Sequence, residues 1–230
     1  MIEIGAGLGS LTLPLAATGA EVLAVELDRA AVAALDEVVA GRAGIRVLHA
    51  DAMRLAWDDV LGPGDDAWVL CANLPYNIAT PLILDVLEDV PRIRRLVVMV
   101  QREVGERLAA GPGEEGFGAV SLHVAYAAEA TVLRRVGPTV FWPRPSVGSA
   151  IVRIERRAAP PVDVDPQRLW RVVEEAFGQR RKTMRNALRR LGLDLTAADD
   201  VLAACDVPAA SRPEELDLET FARIAAAVPT

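Results

Sequence analysis

Three glycines at alternate positions, Gly5, Gly7 and Gly9, follow directly on the apolar stretch Met1–Ile4 and lead into the helix-forming run Ser10–Ala17. A strand that turns on glycine into a helix lets backbone approach a ligand closely and leaves amide hydrogens facing it. The spacing is Gly-x-Gly-x-Gly, not the Gly-x-Gly-x-x-Gly of dinucleotide sites. Apolar strand patterns recur at Glu21–Val25, Ile45–His49, Trp68–Ala72 and Leu96–Val100. Helical patterns at Ala30–Ala40 and Thr80–Leu87 fall between them, with Pro81 acceptable in a first turn. Such alternation predicts an α/β chain with an open, mostly parallel sheet.

The middle of the chain is less regular. Helices are expected over 101–110 and 120–128, and the glycine-rich stretch Gly111–Gly118 reads as a mobile loop. Strands at Thr131–Val136 and Ala150–Ile154 flank the proline-rich Pro138–Pro145 and suit a hairpin-like pair at the sheet edge. A linker at Ala158–Asp163 separates residues 1–157 from a small helical domain over 163–230. Its helices are predicted at Pro166–Phe177, Lys182–Leu191, Ala197–Ala204 and Leu218–Ala227, with Thr196 capping the third and Asp217 near the last cap.

Composition excludes several classes. Cys71 and Cys205 make no disulfide framework or metal-ligand spacing, so both are expected reduced and buried, with no metal site. No uncharged apolar run of membrane-spanning length occurs, and no basic leader precedes an apolar stretch, so a cytoplasmic location and no membrane partner are expected. The total charge is −7, yet residues 134–190 hold 14 basic and 5 acidic side chains, leaving that segment at +9 and the remainder at −16. A bipolar chain of this kind can present one face to a polyanion.

Open α/β sheets bind ligands beyond the C-terminal ends of their strands. Glu26, Asp51 and Asn73 end three predicted strands, and the glycine turn ends a fourth. Glu26 suits the two hydroxyls of a ribose. Asp51 suits an adenine amino group, with the Ala52 amide beside it. Carboxylates disfavour a nearby phosphate and favour a cation, so the set fits a nucleoside bearing a sulfonium. The tetrapeptide Asn73-Leu74-Pro75-Tyr76 fits methyl transfer to an exocyclic base nitrogen. The Asn73 side-chain oxygen and Leu74 carbonyl can accept that nitrogen's two hydrogens and turn its lone pair toward the methyl. Pro75 stiffens the loop, and Tyr76 can stack on a base withdrawn from its helix.

Eight segments carry a resemblance: EIGAGLGSLT (3–12), AVELDR (24–29), DA (51–52), NLPYNIATP (73–81), VQREVGERLAAGPGEEGFG (100–118), FWPRPSVGSAIVRI (141–154), AFGQRRKTMRNAL (176–188) and RPEELDLETFARIA (212–225). In order and spacing the chain resembles the small-subunit (16S) rRNA adenine N6,N6-dimethyltransferases of the KsgA/RsmA type. The resemblance implies a Rossmann-like, S-adenosyl-L-methionine-dependent methyltransferase sheet with a small C-terminal helical domain. It implies that Gly5, Gly7, Glu26, Asp51, Ala52 and Asn73 hold the cofactor. Asn73, Leu74, Pro75 and Tyr76 would form the target-adenine site, with Phe141 as a second aromatic surface. The implied substrate is a pair of adjacent adenosines near the 3' end of 16S rRNA, in an immature small subunit whose assembly the family attends. A monomer is expected.

Arg180, Arg181, Lys182, Arg185 and Arg189 form the strongest basic cluster, a candidate RNA contact. Arg181, Arg185 and Arg189 would share a stripe if their helix began early enough. Tyr126 and the four tryptophans read as packing residues. Gly148 stands where the family usually has an acidic residue, and Ala6 where proline is common; neither removes a chemical group. Met1 falls within the first strand, where family members carry a further N-terminal segment, so a truncated chain is expected. Two alternatives stay open: a 23S rRNA adenine N6-methyltransferase of the macrolide-resistance type, and a non-catalytic assembly factor for the small subunit.

Overall fold

The computed structural model describes residues 1–142, 144–179 and 182–229. Two compact units emerge: residues 1–105 with 128–156, and residues 106–127 with 157–230. The boundary expected at 157 therefore captures only part of the division. Residues 106–127 group with the C-terminal helices because Leu122 is buried in their core, with Phe117, Ala119, Ala125 and Tyr126 packed against it.

The first unit holds a seven-stranded sheet. Its strands are β1 (Ile2–Ile4), β2 (Val22–Glu26), β3 (Ile45–His49), β4 (Trp68–Asn73), β5 (Ile93–Gln101), β6 (Ala128–Val136) and β7 (Ser149–Arg156). They run in the order β3-β2-β1-β4-β5-β7-β6. The first five are parallel; β7 is antiparallel to both β5 and β6. The expected closing pair at the sheet edge is present. The central β1 is buried along its whole length, as parallel strands covered on both faces must be. The outer β6 is largely exposed, carries Arg134 and Arg135, and has an irregularity between Val132 and Arg134. Charge and bulging both blunt an edge.

Helices α1 (Thr12–Ala17), α2 (Arg29–Val39), α3 (Trp57–Leu61) and α4 (Ala79–Asp89) connect the parallel strands. The sequence pattern had not signalled the short α3. The Asp28 carboxylate caps α2 through the Ala30 and Ala31 amides. At the far end of the sheet, Arg156 donates to the carbonyls of Val86, Leu87, Val90 and Ile93, pinning the end of β7 to the last turn of α4.

Between β5 and β6 come α5 (Arg102–Ala109), whose second half enters the other unit, and α6 (Ala119–Ala127). That unit is completed by α7 (Pro166–Phe177), α8 (Met184–Arg190), α9 (Leu195–Ala204) and α10 (Leu218–Ala227). Phe177 stacks on Phe221, and Phe117 meets Phe177 edge-on. In the stretch 111–118, Glu114 accepts from the Gly111 amide and the Gly113 amide donates to the Glu214 carbonyl. The cap of α9 is Asp194, not Thr196, because the helix starts one residue before Thr196 and the Asp194 carboxylate reaches the Ala197 amide at 2.8 Å. Asp217 caps α10. Both cysteines are free and buried. Among the described residues no helix is long and apolar enough to cross a membrane.

Candidate active site

Strand order reverses between β1 and β4, since β2 and β3 lie to one side of β1 and β5 to the other of β4. Loops leaving two such strands diverge and open a crevice. The glycine turn follows β1, and the Asn73–Tyr76 loop continues β4. They meet: a side chain at Gly5 would lie 3.7 Å from the Pro75 ring and 3.8 Å from the Asn73 carbonyl. All three glycines of the turn have positive φ, which a side chain would strain. At Gly9 a Cβ would also stand 2.9 Å from Leu35.

Glu26 ends β2 beside this turn. Its Oε2 accepts from the Gly7 amide at 2.8 Å, and its Oε1 accepts from the Leu27 and Asp28 amides at 2.8 and 2.9 Å. Three backbone donors fix the carboxylate's plane and tie the glycine turn to β2. Asp51 follows β3, and its Oδ1 accepts from the Met53 amide at 3.0 Å, capping a single 3-10 turn that buries Ala52. The Ala50 amide donates to the Glu26 carbonyl, holding the two carboxylates at neighbouring strand ends.

Asn73 is exposed at the end of β4, whereas the Leu74 side chain is buried and its amide extends the ladder to Met99. Asn73, Leu74, Pro75, Tyr76, Phe141, Trp142 and Pro145 line one open cleft of about 280 Å³. Phe141 thus joins the tetrapeptide although 65 residues separate it from Tyr76 in sequence. The Tyr76 hydroxyl lies 3.2 Å from the Ser149 hydroxyl on β7. Trp142 corrects an expectation: its side chain is 95% exposed, because it sits on a surface loop after a 3-10 turn at Pro138–Val140, rather than in a core.

Two participants carried no assigned role in the sequence. Glu3 is buried in β1 and accepts a 2.6 Å hydrogen bond from the Thr12 hydroxyl at the start of α1, so it braces the glycine turn from beneath. Burial pushes its carboxyl up to about 6, against a smaller opposing effect of that hydrogen bond. An acid within an otherwise apolar strand was the available signal. Ser149 had none beyond its place in a motif.

The basic cluster is only partly as expected. Arg180 and Arg181 lie outside the described residues. Helix α8 begins at Met184, so Lys182 precedes it, and only Arg185 and Arg189 of the expected stripe are placed on that helix. Arg185 is engaged at 2.6 Å by Asp199 of α9, while Lys182 and Arg189 are exposed. Elsewhere, Arg92 donates to the Gly62 carbonyl and Arg95 pairs with Glu155. Among the described residues no group of three or more His, Cys, Asp or Glu side chains is placed to hold a metal ion.

The family described as ribosomal RNA adenine dimethylase matches residues 1–221. The chain is 42% identical over 232 residues to ribosomal RNA small subunit methyltransferase A of Moorella thermoacetica, covering 97% of this chain and 81% of that protein. It is 43% identical over 230 residues to the protein of the same description from Thermobifida fusca, covering 98% and 79%. Its fold is similar to that of a dimethyladenosine transferase from Plasmodium falciparum, with TM-score 0.79, 23% identity, and 97% and 87% of the two chains covered. It is also similar to the 23S rRNA methyltransferase ErmE, with TM-score 0.74, 23% identity, and 99% and 89% covered. These two structures bear on the fold, which is the expected Rossmann-like α/β sheet with a helical companion.

Proposed function

Because this chain belongs to the ribosomal RNA adenine dimethylase family, we propose that it transfers methyl groups from S-adenosyl-L-methionine to N6 of two adjacent adenosines near the 3' end of 16S rRNA. The observation that carries this reading is the cleft where Asn73, Leu74 and Tyr76 meet Phe141, directly beside the glycine turn.

The residues present suit that cofactor. A turn without side chains at Gly5 and Gly7 admits it, the fixed Glu26 carboxylate offers its remaining lone pairs to ribose hydroxyls, and Asp51 with the Ala52 amide suits the adenine edge. When bound, it supplies an electrophilic methyl on a sulfonium. The protein's part is placement. The Asn73 side-chain oxygen and Leu74 carbonyl take the two N6 hydrogens, which directs the nitrogen lone pair and favours the positive charge that grows on it. Tyr76 and Phe141 hold the withdrawn base between aromatic surfaces. Each transfer breaks the methyl–sulfur bond and ends with loss of an N6 proton to solvent and release of the cofactor as its neutral thioether; with fresh cofactor, an open cleft readmits the monomethylated base for the second.

Lys182, Arg185 and Arg189, with Arg180 and Arg181, supply phosphate contacts in this reading. The protein acts as a cytoplasmic monomer on an immature small subunit. The 42–43% identity to small-subunit enzymes favours 16S over 23S rRNA as substrate. The test is transfer of labelled methyl to undermethylated small subunits and to free 23S rRNA. Dimethyladenosine at two adjacent positions of the former alone is expected. Binding without transfer would instead identify an assembly factor, and transfer to 23S rRNA would identify the macrolide-resistance type.

A further inference from the structure

We propose that Trp142 is a stacking platform for the unpaired nucleobase next to the target adenosine. This rests on the function proposed above and adds an RNA-contacting residue at the rim of the same cleft.

The indole is 95% exposed. Trp57, Trp68 and Trp170 are all partly covered, and Trp170 stacks at 3.8 Å on His123. The fold thus gains almost nothing from the size of Trp142, while water is in contact with nearly all of its apolar surface. Its position is not arbitrary. It follows Phe141 directly and lines the same cleft as Asn73 and Tyr76. Pro138 and Pro145 bracket it in sequence, the Phe141 amide bonds back to the Pro138 carbonyl, and the Arg102 amide donates to the Gly148 carbonyl just before β7. Arg144, two residues on, is exposed in the same loop.

Withdrawing a base from a strand bares the faces of its neighbours. An aromatic surface at the rim of the receiving cleft can replace the lost stacking, and it does so for any base because every base has a π face. A cation two residues away suits the phosphate between the two nucleotides. When the substrate has two adjacent adenosines, the base on the platform while one is methylated is the other. Trp142 therefore favours RNA strands over free nucleosides and holds the second target close to the cleft during the first transfer.

The test compares Trp142→Ala and Trp142→Phe in methyl transfer to small subunits, with titration of indole fluorescence by a short single-stranded RNA containing two adjacent adenosines. The alanine variant is expected to raise KM for RNA about 10-fold, leaving KM for S-adenosyl-L-methionine and kcat near those of the unaltered chain. The phenylalanine variant should recover most of the loss. RNA should quench the exposed indole, and the quenching should vanish in Trp142→Phe. Unchanged KM for RNA in Trp142→Ala, while Asn73→Ala abolishes transfer, overturns the platform but spares the proposed function. If the unaltered chain transfers no methyl, the function fails, and the titration still decides the platform: quenching that depends on Trp142 supports it, and its absence overturns it.

Discussion

The Tyr76 hydroxyl lies 3.2 Å from that of Ser149, a buried residue on a strand antiparallel to the one beside its own. The bond ties the loop after β4 to β7 and fixes the plane of an aromatic ring at the cleft. Either Tyr76→Phe or Ser149→Ala should lower kcat about 5-fold, the worth of one neutral hydrogen bond. The double variant should be no worse than either alone. Additive losses in steady-state kinetics would show that the hydroxyls act separately.

Asn73→Ala should reduce methyl transfer about 100-fold or more, the scale of losing one hydrogen-bonding group aimed at developing charge. Asn73 is exposed, so its truncation leaves the core intact. Circular dichroism and melting should match the unaltered protein while single-turnover transfer collapses. Transfer within a few-fold of normal would remove Asn73 from the proposed chemistry.

Glu26→Gln should weaken S-adenosyl-L-methionine binding about 10- to 100-fold, since hydrogen bonds to a charged acceptor are worth more than neutral ones. The amide brings a second penalty. If its oxygen keeps the Leu27 and Asp28 amides, its nitrogen faces the Gly7 N–H, donor against donor. Calorimetric titration of cofactor measures the loss, and equal affinities would refute the assignment.

Glu3 makes stability depend on pH. Its carboxyl titrates at about 6 when folded against an ordinary 4.5. Below 4.5 both folded and unfolded chains are protonated there, and no cost arises. As pH rises from 4.5 through 6 the unfolded chain ionises first, and the fold loses about 2 kcal/mol. Glu3→Gln should abolish this loss, so urea unfolding at pH 4.5 and 7 should show the variant gaining on the parent by that amount. A gap independent of pH would count against the shift.

Lys182 is the only lysine in the chain. Its ε-amine should be shielded from amine-reactive labelling by small-subunit RNA. Neutralising Lys182 and Arg189 together should weaken RNA binding and flatten the slope of log affinity against log salt by about one to two. Arg185→Gln should change the slope less, because Asp199 already engages that guanidinium. Slopes identical in all variants would place the RNA elsewhere.

What could be read from sequence alone had a local cause. Glu26, Asp51 and Asn73 stood out because each is a polar residue closing an apolar run, and sheet topology then brings such ends to one side. The hydrogen-bond partners did not stand out. That Glu26 would hold the Gly7 amide, or Tyr76 meet Ser149, depends on strand order and register. The grouping of residues 106–127 with the later helices has the same origin: Leu122 is buried among side chains that follow it by 47 residues or more. Thr196 and Asp194 are both good caps, and only the true start of α9 decides between them. Trp142 departs from expectation because residue type argues for burial, whereas its loop holds it in solvent.

Strand β7 is the last of the seven to be synthesised, yet it lies between β5 and β6. On the ribosome, then, a nascent chain that has already made β5 still presents it as an open, apolar border, the kind of edge that recruits strands from other chains. β6 has no neighbour to pair with until residues 149–156 arrive. Ser149, which steadies Tyr76, comes with them. A shortened product ending before that strand carries every residue that lines the target cleft but lacks the hydroxyl that meets Tyr76, and the growing chain's most vulnerable interval is the one just before its sheet closes.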